Sequence, residues 1–404
     1  MLQKICLLFT TIILLLFQIQ SSFASQKPDD AFSKDAYEEV RKSVFTNEYM
    51  KQETLSMYKQ FLKKKIIWVG GSPGVPFEYK VFGEKKEDEK YPLYISLHGG
   101  GKTTKENNDK QWKNQISLYT VPYGIYVAPR APWNDWDMWF KEPVDRIIEE
   151  FIKVFLYSEY EIDPDRVYLL GYSAGGDGVW RLAARMSDAF AAASMMAGHP
   201  GDVSLVNMYN LPFMVWVGEN DSAYNRNKEC ARRIRELSEL RAGSGNEGYP
   251  FSGHIVTGKG HWMDLEDREA IPWMAQFERV LHPKHIVWRQ EEVLRNHMYQ
   301  LEIDVKQARR GDEAIVDFDF KNNKITVMRS DYETLYININ DEMFDMDEKI
   351  TVVNASGKVI FDGIVYRTRS QLLHSLHTYG GIYGVYPGQI AVKKADLTDA
   401  GSGQ

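Results

Sequence analysis

The chain has 404 residues, a formal net charge of −7 and 44% hydrophobic residues. That length suits one large domain plus a smaller one, and the apolar content builds a sizeable core and excludes a disordered chain. A mildly negative balance argues against a nucleic-acid partner.

At the N-terminus Lys4 precedes an apolar run from Ile5 to Ile19, broken only by Thr10, Thr11 and Gln18. Ser22-Phe23-Ala24 offers the small residues a signal peptidase reads, so residues 1–24 read as an export signal cleaved after Ala24. An uncleaved anchor is the alternative, but the run is short for a full span. Cys6 lacks the small-residue setting of a lipid anchor. Cleavage leaves Cys230 as the sole cysteine, so stability must come from packing and not from an internal disulfide. Export to a periplasmic or extracellular site follows, with no stable membrane anchor.

Residues 25–65 read as a helical segment packing on the main domain, with Tyr37, Val40, Val44, Leu55, Tyr58, Phe61 and Leu62 on a buried stripe. Residues 66–283 then alternate between strand and helix patterns. Strands are expected at Ile66–Val69, Phe77–Phe82, Tyr91–Leu97, Gly124–Ala128, the run starting at Val167, Ala191–Met196, Phe213–Val217 and His254–Thr257. Helices are expected at Asn107–Tyr119, Pro143–Tyr157, Gly176–Met186, Asn225–Leu240 and Ala270–Val280. Glu84 to Lys90 reads as a solvated hairpin loop. The alternation predicts an α/β fold with a mainly parallel sheet covered by helices on both faces. After Pro283 the pattern turns strand-rich, with Asn322-Asn323, Ser356-Gly357 and Asp362-Gly363 as turns. Residues 284–396 are therefore expected to form a small β-rich accessory domain, and 397–404 a tail.

The chemistry centres on Gly171-Tyr172-Ser173-Ala174-Gly175, a strand that turns sharply into a helix. Two glycines let strand and helix pass closely while Ser173 is held at the apex in a strained backbone. A serine hydroxyl needs a base, a carboxylate to hold that base, and N–H donors for the oxyanion. Glycines after the strand ending at Leu97 leave the N–H groups of Gly100 and Gly101 free as donors, and Ala174 completes the set. His98 reads as a shaper of that loop. Asp221 follows the Phe213–Val217 strand as the acid, with Glu219 as its rival. Asp177 suits the helix dipole, and Asp264 lies too near the base. His261, between glycine-rich loop residues, reads as the base, and His254 as a structural strand residue.

The stretch from Tyr91 to Val280 resembles the α/β-hydrolase superfamily. It is most similar to secreted bacterial esterases of the polyhydroxybutyrate-depolymerase-like and dienelactone-hydrolase-like kind. The pieces that carry the resemblance are Leu97-His-Gly-Gly-Gly101, Asp163-Pro-Asp-Arg-Val-Tyr-Leu-Leu-Gly-Tyr-Ser-Ala-Gly-Gly176 and Gly260-His261. The resemblance implies a serine esterase fold with Ser173 as nucleophile, Asp221 as acid and His261 as base, in the chain order of that superfamily.

For substrate binding, Trp133, Trp136 and Trp139 lie just past a strand end, on the ligand side of such sheets. They read either as an aromatic wall or as a buried helical stripe. Trp262 could join the wall. His199 reads as pocket-lining or as a loop hydrogen-bonder, and Arg130 as an anion holder or a loop pin. No metal or cofactor is called for: Asp341 to Glu348 lacks calcium-loop spacing, and no phosphate-cradling loop is present. The expected function is an exported serine hydrolase of small-molecule or polymer-borne carboxylic esters. The alternatives are a serine peptidase of prolyl-oligopeptidase type and a non-catalytic carbohydrate-binding protein on a hydrolase fold.

Overall fold

The structure, a computed structural model, describes residues 27–85 and 87–398. The expected export signal lies outside the described residues. Among the described residues no helix is long and apolar enough to cross a membrane.

Two helices open the described chain, α1 (Tyr37–Val44) and α2 (Gln52–Lys64), joined by a π-helical turn. There follow β1 (Ile66–Ile67), β2 (Val75–Phe82), β3 (Leu93–Leu97), α3 (Lys105–Leu118), β4 (Gly124–Pro129), α4 (Pro143–Leu156) and β5 (Val167–Tyr172). Next come α5 (Ala174–Arg185), β6 (Ala192–Met196), β7 (Phe213–Gly218), α6 (Arg226–Gly243), β8 (Phe251–Val256) and α7 (Ala270–Met274). These strands make one eight-stranded sheet in the order β1-β2-β4-β3-β5-β6-β7-β8. Only β1 and β2 run antiparallel to their neighbours. This is the α/β-hydrolase fold.

The strands are buried on both faces because alternate residues enter two separate cores. Leu93, Ile95, Val127 and Leu169 pack with Ile147 and Phe151 of α4 and with Val179 and Leu182 of α5. Tyr94, Tyr126, Tyr168 and Leu170 face the other way, towards Ile116 of α3 and Ile271 and Met274 of α7. Parallel register (Leu97 opposite Gly171, Tyr172 opposite Met196, Gly218 opposite Val256) aligns the carboxyl ends of the strands along one edge.

Residues from 285 onward form two more sheets and two helices. Strands β9 (His285–Arg289), β10 (His297–Met298), β11 (Leu301–Glu302), β12 (Glu313–Asp319), β13 (Lys324–Ser330) and β14 (Thr334–Ile339) come first. Then follow β15 (Ile350–Asn354), β16 (Val359–Gly363), α8 (Arg369–Tyr379), β17 (Gly388–Lys393) and α9 (Lys394–Leu397). One sheet has the order β16-β15-β13-β12-β9 and the other β10-β11-β14-β17. This β-rich unit meets the helices of the main unit through charge pairs and hydrogen bonds. Arg185 of α5 holds Asp145 of α4 at 2.5 Å and reaches Glu292 of the β-rich unit at 2.7 Å. The Tyr299 N–H donates to Asp188.

Four expectations are corrected. The loop 84–90 is no hairpin, because β4 intervenes between β2 and β3. The helix expected at Ala270–Val280 stops at Met274. The chain leaves it so that Arg279 can bind Asp165 and the carbonyls of Asp188 and Ile382. The N-terminal helical segment serves both units and not the main one alone. Val44 packs on Leu372 and Leu376 of α8, while Tyr58, Phe61 and Leu62 join the main core. Finally, β9, β10 and β11 are strands the pattern did not suggest, since polar residues such as His285, Arg289, His297 and Glu302 break the alternation.

Candidate active site

Ser173 follows β5 and caps α5 with φ 57° and ψ −122°, a region that side chains rarely occupy. Two features hold it there. Its N–H donates to the Met196 carbonyl at 2.9 Å. A Cβ on Gly171 would come within 2.5 Å of the Gly175 carbonyl oxygen, so only glycine lets strand and helix approach this closely. The hydroxyl is left pointing towards the loop after β8.

That loop carries His261. Its Nε2 lies 2.9 Å from Ser173 Oγ, and its Nδ1 lies 2.8 Å from Asp221 Oδ2. The Tyr172 hydroxyl donates to the His261 carbonyl at 2.6 Å and fixes the loop from below. Farther along, Tyr119 donates to the fully buried Asp267. Asp221 is 2% exposed and follows β7. Burial works to raise its carboxyl, but pairing with His261 and then with Arg226 prevails and holds it below the usual carboxylate range. Arg226 Nη1 donates to the other oxygen, Oδ1, at 2.8 Å.

Glu219 is occupied elsewhere, accepting the Gly258 N–H at 2.8 Å. His254 stacks on Trp216 with ring centroids 4.0 Å apart and shares a hydrogen bond with Ser252. Asp264 pairs with Lys259. The geometry thus brings Ser173, His261 and Asp221 together and leaves their sequence rivals out.

The loop after β3 is built on buried His98. Burial pushes its imidazole down to about 3, so the ring is neutral. Its Nδ1–H faces the Gly99 carbonyl at 2.6 Å, and its Nε2 accepts the Ala131 N–H at 3.0 Å. Gly100 and Gly101 adopt φ of 115° and 98°. Here one expectation is corrected: the Gly101 N–H already donates to Asn108 Oδ1 at 3.1 Å, and Asn108 Nδ2 returns a bond to the Gly101 carbonyl. Gly101 is a clamped hinge of the loop. Gly100 and Ala174, the latter in the first turn of α5 where N–H groups lack helical partners, line the smaller of two cavities beside Ser173.

Two cavities meet at Ser173, sharing Gly100 and His261. One, of about 820 Å³, is walled by Gln111, Asn114 and Leu118 of α3 and by Tyr172, Trp262 and Leu265. The other, of about 330 Å³, is bounded by Trp136, Ala174, Asp177, Tyr224 and Arg226. Among the described residues, none beyond Leu265 lines either cavity, so the described β-rich unit stands apart from the site.

The tryptophan expectation divides. Trp136 is 43% exposed and meets Tyr224 at 5.4 Å. Trp262 lines the larger cavity. Trp139 is fully buried and donates to the His98 carbonyl, a pillar beneath the glycine loop. Trp133 lies under Lys141 and lines neither cavity. The three sit in an irregular turn and not on a helix, so their spacing does not place them on one face. His199 is a loop hydrogen-bonder: its N–H donates to Asp177 and its Nδ1 accepts from Gly201. Arg130 pins its own loop through Asp109, Asn134 and two carbonyls. Sequence reasoning missed Tyr172, Tyr224, Asn108 and Arg226. Of these only Arg226 left a signal, as a cation five positions after Asp221 at the start of a helix.

No family model and no curated protein matches the sequence. Among solved structures the chain is similar to a thermostable esterase, at 26% identity and TM-score 0.41, over 51% of this chain and 60% of that one. The chain thus spans less than two thirds of that esterase's length. A ferulic acid esterase aligns at 17% identity and TM-score 0.36, over 50% of this chain and 93% of the other. The feruloyl esterase module from Clostridium thermocellum, solved with sinapinate, aligns at 15% identity and TM-score 0.37, over 52% and 87%.

Proposed function

We propose that this chain is a serine hydrolase of carboxylic esters, with Ser173 as nucleophile, His261 as base and Asp221 as acid. The observation that carries the reading is the hydrogen-bonded row Ser173–His261–Asp221, assembled from three loops at the carboxyl ends of β5, β7 and β8. Ser173 Oγ attacks the ester carbonyl while Nε2 of His261 takes its proton. Asp221 fixes the ring orientation and stabilises the imidazolium that forms. The oxyanion receives the N–H groups of Gly100 and Ala174. Collapse expels the alcohol, which takes the proton back from Nε2. Water then repeats the sequence on the acyl-serine and releases the acid.

The larger cavity supports a substrate with one group bulkier than acetyl, since about 820 Å³ is within the range of small-molecule sites. Export is part of the proposal, supported by the Lys4–Ala24 pattern. A mature N-terminus at Ser25, read by mass spectrometry of the secreted protein, tests it.

The experiment for the function is a panel of p-nitrophenyl esters of graded acyl length with one cinnamate ester, run on the parent and on Ser173→Ala beside fluorophosphonate labelling. The parent is expected to turn over ester and to take the label, and Ser173→Ala to do neither. Retained turnover in Ser173→Ala overturns the assignment.

A further inference from the structure

We propose that Arg226 is a positioning residue for the acid–base pair, sharing the Asp221 carboxylate with His261 and holding it in the plane that orients the imidazole towards the serine. The proposal rests on the reading of Ser173, His261 and Asp221 as catalytic.

The backbone is arranged to deliver this contact. Tyr224 and Asn225 both lie in the left-handed region, at φ 59° and 56°, immediately before Arg226 begins α6. Two consecutive non-glycine residues there are costly and persist only where the surroundings impose them. Here they turn the chain so that the first residue of the helix faces back onto the acid five positions earlier. The Asn227 N–H closes the turn on the Asp221 carbonyl at 2.9 Å.

The two partners divide the carboxylate. Arg226 Nη1 takes Oδ1 at 2.8 Å and His261 Nδ1 takes Oδ2 at 2.8 Å, so the carboxylate plane is fixed from both sides. The two nitrogens lie only 3.3 Å apart. Both donate to the carboxylate, so the contact between them is no bond. Arg226 therefore holds the Asp221 carboxylate in line with the imidazole while His261 takes and returns the serine proton.

The test compares Arg226→Gln, which can still donate a hydrogen bond but carries no charge, with Arg226→Lys, which keeps the charge. Two readouts are taken: kcat and KM measured separately on a p-nitrophenyl ester, and the downfield NMR resonance of the His261 Nδ1–H, which reports its hydrogen bond to Asp221. In Arg226→Gln kcat is expected to fall about 10-fold with KM unchanged, and the Nδ1–H resonance to move or broaden. Arg226→Lys is expected to stay near the parent. If Arg226→Gln keeps the parental kcat and resonance, or if Lys loses as much as Gln, the proposal is overturned. Absence of ester turnover in the parent would count against the catalytic reading instead, and the Nδ1–H resonance would still decide the role of Arg226.

Discussion

A single methyl group at Gly171 tests how Ser173 is held. An alanine Cβ there would lie 2.5 Å from the Gly175 carbonyl oxygen, 2.6 Å from its carbon and 3.0 Å from Val179 Cγ2. The first two are backbone atoms of the strand-to-helix turn and cannot swing aside. Reaching even a tight 3.0 Å contact requires the turn to open by about 0.5 Å, and an ordinary contact needs about 0.9 Å. Ser173 sits within that turn, so the opening moves Oγ relative to His261 Nε2, which now stand 2.9 Å apart. A misplacement near 1 Å costs on the order of 100-fold in rate, so Gly171→Ala is expected to lose roughly 10- to 100-fold in kcat. Overpacking should also lower stability by about 1–3 kcal/mol. The assay is p-nitrophenyl ester turnover with a thermal melt, beside Gly260→Ala as control. At Gly260 an added Cβ meets nothing within 4 Å, so the control should keep its activity and melting temperature although it adjoins His261. Gly171→Ala with parental kcat and parental Tm would refute the close-approach argument.

Other expectations follow from the same contacts. Asp221→Asn should lower kcat by about four orders of magnitude, whereas Glu219→Gln should change it little, since Glu219 only accepts the Gly258 N–H. Steady-state kinetics of the two variants separate the acid from its rival. Asp177 is raised from 3.8 to about 6, chiefly by burial. Below pH 4 both folded and unfolded chains carry its proton. Between pH 4 and 6 the folded chain binds it more tightly, so stability falls as pH rises through that window. Asp177→Asn should therefore raise Tm at pH 7.5 and leave it unchanged at pH 3.5, read by calorimetry at both. Arg185→Ala should cost about 3 kcal/mol in urea unfolding, because it strips buried Asp145 of its 2.5 Å partner and leaves Arg295 at 3.7 Å.

Much of the fold was legible because its signals are local. Buried strands such as Leu93–Leu97 and Phe213–Gly218 are short apolar runs, and a parallel sheet needs both faces covered. Pro143 marked the start of α4, where a missing N–H costs least. Helix α7 was overestimated because the pull of Arg279 on Asp165 and Ile382 is a long-range contact. The first strands of the β-rich unit escaped notice for the same reason. Their charged residues are satisfied by distant partners, as when His285 meets Asp317 across β9 and β12.

For the candidate site, sequence by itself determined the elbow at Ser173, the glycine loop before it, and a carboxylate and a histidine in order after it. Those features are demands of the local backbone: glycine where chains cross closely, loops where strands end. Only the tertiary structure set Asp221 and not Glu219 against His261, committed the Gly101 N–H to Asn108, and divided the tryptophans into the exposed Trp136 and the buried Trp139. It alone set Arg226 against the acid. Each of these choices turns on which groups, remote in the chain or bent back by an irregular turn, come within 3 Å or so of one another. Hydrogen-bond reach is a property of the packed structure, and no pattern along the sequence records it.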